Sequence, residues 1–404
     1  MNKLGNLIFT AFLCLSVSLA DDRPYVLLVS FDGFRADYLD WYDTPNFDAF
    51  AKKGVIAESL QPQFPSKTFP NHYSIVTGMY IENHGMIANY FYDEQLDLSF
   101  TLKDRNMVQD ARFYGGEPIW VTAEKQGLRT AAFYWPGTEA PIGEIYPGIW
   151  KLYDMDVPFQ ARIDSVVSWF SLPEDRRPQF ITLYFHEPDW TGHGKGPKDR
   201  RTRKKVEEMD GVLGKLMEVL SDLSIAEQLN IIITSDHGMV EVRSKNAIYL
   251  NKYVDLDKVE MEGRGPFSFL YGNDESALNE AYTSLKEVKN ISVYRKDEIP
   301  ARYHYRDHYR IKDILIVADE GWTIRKNRRD FSGSFIFGDH GYDNTLQSMQ
   351  AIFLAHGPAF KNDYERGTVE NIHIYPLIIE ILGLVPNDEI DGDLDLIKDV
   401  LIDQ

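Results

Sequence analysis

Thiols are almost missing from this chain: 404 residues carry one cysteine, Cys14. That excludes an intramolecular disulfide, a thiolate metal centre and a paired-cysteine redox motif. Positive charge is also short, with 43 Lys and Arg against 62 Asp and Glu, a formal charge of −19. A broad basic face for nucleic acid or an anionic membrane is therefore not expected. An anionic substrate would need local attraction, which bound cations can supply against the overall field. Beyond the first twenty residues there is no long apolar run, internal repeat or low-complexity linker.

The N-terminus is the exception. Lys3 supplies a positive end, Leu7 to Val17 an apolar stretch, and Ser18-Leu19-Ala20 a small-x-small cleavage site ahead of Asp21-Asp22. This pattern predicts a signal peptide over residues 1–20, since the stretch is short for a membrane span. Cleavage would remove Cys14 and leave a mature chain, 21–404, with no thiol and no span. An exported protein without disulfides fits a bacterial periplasm or cell exterior better than a eukaryotic secretory route.

What is present is an ordinary globular balance, 44% apolar and 26% charged, in a chain long enough for a large core. Strand-like runs at Tyr25–Phe31, Arg129–Trp135, Phe180–Phe185, Asn230–Ser235, Ile314–Ala318 and Met349–His356 alternate with helical segments. Helices are predicted at Asn46–Lys53, Ile163–Ser171, Lys204–Ser221 and Ile374–Leu382. Such alternation predicts an α/β fold, a mostly parallel sheet with helices on both faces. From about residue 243 to 329 the strands are short and the turns polar, which reads as an inserted subdomain within one catalytic domain.

Four apolar strands end in chemistry. Tyr25–Phe31 leads to Asp32-Gly33, and Phe180–Phe185 to Asp189-Trp190-Thr191-Gly192-His193. Ile231-Ile232-Ile233 leads to Asp236-His237-Gly238, and Ser334–Phe337 to Gly338-Asp339-His340-Gly341. Open α/β sheets bind ligands beyond the carboxyl ends of their strands, so the four ends are expected to converge. Three Asp and three His without Cys suit catalytic Zn²⁺, or Mn²⁺ and Mg²⁺ where carboxylates dominate.

A hydroxyl-bearing segment, Phe64-Pro65-Ser66-Lys67-Thr68-Phe69-Pro70-Asn71-His72, lies between the first two ends. Asn71 is positioned to cap a helix Tyr73–Thr77 that ends at Gly78. A hydroxyl just before a helix N-terminus is well placed as a nucleophile, and spacing favours Thr68 over Ser66. Capping is the structural alternative for Thr68. Lys198 to Lys205 carries six basic residues in eight and reads as a solvated helix start. Arg302-Tyr303-His304-Tyr305-Arg306 reads as a subdomain edge rather than an RNA platform.

Taken together these segments resemble the nucleotide pyrophosphatase/phosphodiesterase family, a branch of the alkaline phosphatase superfamily. Further matching pieces are His84-Gly85-Met86-Ile87-Ala88-Asn89 and Asn371-Ile372-His373-Ile374-Tyr375-Pro376. The similarity runs from about Pro24 to Pro386. It implies an alkaline-phosphatase-like three-layer fold and two Zn²⁺ ions, one held by Asp189, His193 and His340. The other would be held by Asp32, Asp236, His237 and the Thr68 oxygen. It further implies attack by Thr68 to give a phospho-threonine, with Asn89 and the Thr68 amide on the phosphate. Phe69 and Tyr153 match the aromatics that hold the base of a nucleotide. Trp190 departs from the family, which has a small residue there.

The implied substrate is a small nucleotide phosphodiester or pyrophosphate, cleaved to a nucleoside 5′-monophosphate. A choline- or glycerol-phosphodiester hydrolase or a phosphomonoesterase is the alternative on the same metal set, and a metal-stabilised surface binding protein the non-enzymatic one. A sulfatase is disfavoured because the Thr68 segment has no Cys/Ser-x-Pro-x-Arg pattern.

Overall fold

The computed structural model describes residues 24–402 apart from 330 and 332. The predicted signal peptide and Cys14 lie outside the described residues.

An eight-stranded sheet organises the chain. From edge to edge it runs Tyr364–Arg366, Val55–Ala57, Phe353–His356, Leu229–Thr234, Tyr25–Phe31, Phe180–Phe185, Thr130–Phe133 and Ile149–Trp150. Phe353–His356 pairs antiparallel with both neighbours, and every other pairing is parallel. The fold is the mixed α/β, mostly parallel arrangement expected.

Both faces of the sheet are covered, which explains why its central strands are uninterrupted apolar runs. Val26 and Leu28 project into one core with Trp120 and Leu377. Leu27, Val29 and Phe31 project into the other, against Leu213 and Leu216. Those leucines belong to the 22-residue helix Arg200–Ser221, whose buried Val206, Met209, Leu213, Leu216 and Leu220 form one stripe. This helix starts four residues earlier than predicted because the Asp199 side chain accepts from Arg201 N–H.

Other boundaries shift for local reasons. The strand predicted at Arg129–Trp135 stops at Phe133, because Tyr134 takes a left-handed φ of 58°. The run Met349–His356 is a strand only over Phe353–His356, preceded by a 3₁₀ turn at Gln347–Met349. Ile314–Ala318 is a strand but not part of the large sheet. It lies inside a four-stranded antiparallel sheet with Glu260–Glu262, Phe267–Tyr271 and Ile291–Arg295. Ile314 and Ile316 face the helix Glu275–Lys286, while Leu315 and Val317 join the main core. A both-sides-buried run looks the same in either sheet, so its apolar pattern could not assign it.

Register brings the functional ends level. Ser30 pairs with Tyr184 on one side and with Thr234 on the other. The residues that follow, Asp32, Asp189 and Asp236, therefore emerge along one carboxyl edge. Among the described residues no helix is long and apolar enough to cross a membrane.

Candidate active site

Asp32 follows its strand directly, and Gly33 adopts a φ of 67° that turns the chain. A Cβ on Gly33 would sit 2.8 Å from the Asp189 Cβ, so glycine is what lets these two segments touch. Gly33 N–H donates to Asp236 Oδ1 at 3.1 Å, joining a third segment. Asp32 Oδ2 accepts from the buried Tyr184 hydroxyl at 2.6 Å.

The histidines share one device. A carbonyl can only accept, so the nitrogen facing it carries the hydrogen. His237 Nδ1 donates to Gly238 O at 2.8 Å, His340 Nδ1 to Ser66 O at 2.8 Å, and His193 Nδ1 to Gly338 O at 2.9 Å. Each ring thus turns Nε2 into the same space. His340 Nε2 lies 3.1 Å from His193 Nε2, and His237 Nε2 lies 3.0 Å from Asp236 Oδ2 and 3.6 Å from Asp32 Oδ1. Asp189 Oδ2 lies 3.5 Å from His193 Nε2, and its Oδ1 3.8 Å from His340 Nε2.

Asp32, Asp236 and His237 offer ligand atoms within 4.8 Å of one another, and so do Asp189, His237 and His340. His237 falls in both groups, which the expected partition had given to one side only. Asp32 Oδ1, Asp189 Oδ1 and Asp236 Oδ2 are buried and make no hydrogen bond among the described residues. Buried carboxylate oxygens without partners are costly unless a cation satisfies them. Imidazoles anchored through Nδ1 and unpartnered carboxylate oxygens fit a divalent metal site well.

The charge pattern points the same way. Burial, then the charges of Asp236 and Asp189, push the Asp32 carboxyl well above its ordinary range. Burial also opposes ionisation of Asp236, but His237 and His72 outweigh it and hold that carboxyl low. Burial and then the neighbouring His237 and Lys67 keep His340 neutral. Three carboxylates in a closed space repel one another, and cations relieve that repulsion.

Thr68 opens a helix that runs Thr68–Thr77, not Tyr73–Thr77. Asn71 is consequently inside the helix and is not its cap. Its Oδ1 accepts from Gln63 N–H at 2.7 Å and its Nδ2 donates to Pro65 O at 3.1 Å, tying down the loop that presents Thr68. Thr68 Oγ1 lies 3.3 Å from His237 Nε2. Ser66, the other hydroxyl considered, donates to Tyr342 O at 2.9 Å and is fully buried. Asn89 Oδ1 accepts from Phe69 N–H at 2.9 Å, which leaves its amide nitrogen to donate elsewhere.

A cleft of ≈ 470 Å³ opens over these groups. Asp32, Thr68, Phe69, Asn89, Tyr153, Asp189, His193 and His340 all line it. Asp236 and His237 lie beneath, 1% and 0% exposed. Every residue singled out for the site from sequence therefore belongs to one constellation. Tyr153 stands edge-on to Tyr134 with centroids 5.0 Å apart, and its N–H donates to Glu139 Oε1 at 3.1 Å.

Three supporting residues escaped the sequence reading. His72 Nδ1 lies 2.9 Å from Thr68 O and 3.3 Å from Asp236 Oδ2, and its Nε2 2.8 Å from Ser30 Oγ. Tyr184 orients Asp32. His186 lines the cleft, and Arg162 Nη2 approaches its Nδ1 at 3.3 Å. A guanidinium only donates, so His186 Nδ1 accepts and Nε2 carries the hydrogen. Only pairing register could have exposed Tyr184, and nothing local marks the other two. The aromatic-basic run at Arg302 is structural: Tyr303 stacks on Phe64 at 4.1 Å, and Arg302 pairs with Asp343.

Known proteins resemble this chain in both sequence and fold. The family model for type I phosphodiesterase / nucleotide pyrophosphatase matches residues 26–343. Ectonucleotide pyrophosphatase/phosphodiesterase family member 1 of Homo sapiens is 40% identical over 379 residues, covering 90% of this chain and 40% of its own length. The bis(5′-adenosyl)-triphosphatase of Mus musculus is 41% identical over 384 residues, covering 94% of this chain and 82% of its own. Among solved structures, murine ectonucleotide pyrophosphatase/phosphodiesterase 5, in an inactive threonine-to-alanine form with AMP, superposes with a TM-score of 0.89. It is 35% identical and covers 94% of this chain and all of its own.

The chain belongs to the type I phosphodiesterase / nucleotide pyrophosphatase family. It is an enzyme of that type. The chain spans less than half the length of the human relative. These relatives are mammalian, and the bacterial setting inferred from the missing disulfides finds no support in them. The reason is physical: a chain with two extensive buried cores is stable without cross-links, so their absence does not identify a compartment.

Proposed function

We propose that this chain is an exported, zinc-dependent hydrolase of nucleotide phosphodiester and pyrophosphate bonds, releasing nucleoside 5′-monophosphates. The observation that carries the reading is the position of Thr68. Its hydroxyl opens a helix, lies 3.3 Å from His237 Nε2, and faces a cleft walled by Phe69 and Tyr153. Asp189, His193 and His340 would hold one zinc ion; Asp32, Asp236, His237 and the Thr68 oxygen would hold the other. When bound, such a pair lowers the pKa of a coordinated hydroxyl and neutralises charge on entering and leaving oxygens.

This chain's own groups do the rest. Thr68 Oγ1 forms a bond to phosphorus while the bond to the leaving oxygen breaks, giving a phospho-threonine. Water then forms a bond to phosphorus, the Thr68 O–P bond breaks, and the monophosphate departs. The Asn89 amide nitrogen and the Thr68 N–H meet a non-bridging oxygen. A neutral donor such as Asn89 suits the single charge of a diester better than the additional charge of a monoester. Phe69 and Tyr153 hold the base. In the murine relative solved with AMP, a threonine-to-alanine form is described as inactive, which supports the role given to Thr68.

Residues 1–20 act as the export signal, 21–404 form the catalytic domain, and about 243–329 form its inserted subdomain. The test compares purified protein and Thr68→Ala on a nucleotide diester, a nucleoside triphosphate, glycerophosphocholine and a simple monoester. The parent should release a nucleoside 5′-monophosphate and prefer the nucleotides. Thr68→Ala should lose about a thousandfold or more in kcat while binding metal, and Thr68→Ser should keep measurable turnover. Near-parental rates in Thr68→Ala would exclude the covalent route, and a preference for monoesters would exclude the assignment.

A further inference from the structure

Trp190 is a bulky indole left 61% exposed, one residue after the ligand candidate Asp189. It lines the active-site cleft and also a second concavity of ≈ 400 Å³, whose charged lining is Lys195, Arg201, Lys204, Lys205 and one acid, Glu208. The indole is thus the shared wall between the reacting centre and a basic groove.

The groove's cations are not equivalent. Arg201 is engaged by Asp199 at 2.9 Å, and Lys205 by Glu208 at 2.7 Å with Glu187 at 3.9 Å. The side chains of Lys195 and Lys204 make no ion pair or hydrogen bond among the described residues, and only Lys195 feels a nearby acid, Asp199, whose carboxyl it helps to lower. Both stand unpaired in a chain whose formal charge is −19. The run Arg200 to Lys205 also occupies the first turns of the helix Arg200–Ser221, which has no acidic residue in its first turn. Helix dipoles disfavour cations there, and like charges four apart repel. A purely solvating surface would gain stability from acidic residues at these positions. Asp199, Glu207 and Glu208 offset Arg201, Arg203 and Lys205, but no ion pair offsets Lys195 or Lys204, whereas an anionic ligand would.

The direction of displacement says which part of the substrate arrives there. Thr68 Oγ1 sits on the Asp32–Asp236–His237 side, 3.3 Å from His237 Nε2. The leaving oxygen lies opposite the attacking one in an in-line displacement. It therefore faces Asp189 and His193, and beyond them Trp190. We propose that Trp190, Lys195 and Lys204 form a leaving-group subsite for an aromatic, phosphate-bearing group, that is, a nucleoside phosphate released from a dinucleoside polyphosphate. The indole stacks on the departing base, and the two lysines meet its phosphates. This inference rests on the function proposed above.

The test uses the full purified chain and two substrates that share the retained nucleotide half. Diadenosine triphosphate has a leaving group that reaches the groove; the 4-nitrophenyl ester of adenosine 5′-phosphate does not. Lys195→Ala/Lys204→Ala should lower the ratio of kcat/KM for the first over the second by about tenfold, two exposed charge contacts' worth. Lys195→Arg/Lys204→Arg should restore most of it, and added salt should shrink the parental ratio but not that of the alanine variant. Trp190→Ala should lower the ratio similarly, with Trp190→Phe intermediate. Equal losses on both substrates would mean that these residues only support the loop, and an unmoved ratio would mean that they are a solvated helix start. Either result overturns the subsite while leaving the proposed function intact. A parent protein that cleaves neither substrate overturns the function first and this inference with it.

Discussion

Tyr184→Phe removes one oxygen atom and tests whether the buried carboxylates are built for metal. The Tyr184 hydroxyl donates to Asp32 Oδ2 at 2.6 Å, and both side chains are buried. Asp32 Oδ1 has no hydrogen-bond partner among the described residues, so the Tyr184 hydroxyl on Oδ2 is the main donor that orients this carboxylate from the protein side. A hydrogen bond to a charged acceptor contributes about 1.5–3 kcal/mol, and its loss leaves a second Asp32 oxygen unsatisfied. Loss of such an outer-shell partner typically costs about 10–100-fold in metal affinity. Zinc titration against a competing chelator should show a loss of affinity in that range. Turnover should fall at limiting zinc and recover with excess, because Thr68 is untouched and the cleft wall that Tyr184 helps to form loses only a hydroxyl. The metal-loaded variant should also unfold at a temperature closer to the parent than the stripped variant does. Unchanged zinc affinity would refute the orienting role. A loss of turnover that excess zinc cannot repair would show that Tyr184 acts in the reaction and not through Asp32.

Tyr153→Ala should raise the KM for a nucleotide substrate roughly five- to hundredfold, the worth of one base stack, while sparing a small aryl diester. Equal losses on both in steady-state assays would mean that Tyr153 supports the site without reading the base. Gly33→Ala should cost roughly 1–3 kcal/mol in chemical denaturation, because φ is 67° and the new Cβ meets Asp189. It should also lower bound metal, since Asp32 and Asp189 must part. Burial pushes Glu262 up to about 7 from a usual 4.5, and its Oε1 is unpartnered. Its folded pKa lies above its unfolded one, so this contribution is full below pH 4.5 and is lost as pH rises through 7. The loss is about 3 kcal/mol. Glu262→Gln should remove that slope from stability measured between pH 4 and 8, and an unaltered slope would place its origin elsewhere.

Short-range chemistry was legible in the sequence because it is written in neighbouring residues. Tyr25–Phe31, Phe180–Phe185 and Leu229–Thr234 announce themselves as uninterrupted apolar runs, and their ends carry Asp32, Asp189 and Asp236. That they meet at one edge follows from the rule for open sheets, and in the folded chain they do. The same information left Ile314–Ala318 unassigned between the large sheet and the inserted segment, since a run buried on both sides looks alike in either sheet. It also gave Asn71 a cap, because capping residues have uses inside a helix that only its partners reveal.

Tertiary structure alone decided the rest. No local pattern says that Ser66, Gly238 and Gly338 will offer carbonyls to three histidines, or that Tyr184 will reach Asp32. Those partners are up to 274 residues apart in sequence and are set by strand register and loop path. Nor could composition show that Trp190 walls two cavities or that Lys195 and Lys204 remain unpaired while their neighbours do not. Residue identity determines which atoms can donate, accept or carry charge. Distance determines which of them do, and distance between remote segments is a property of the folded chain.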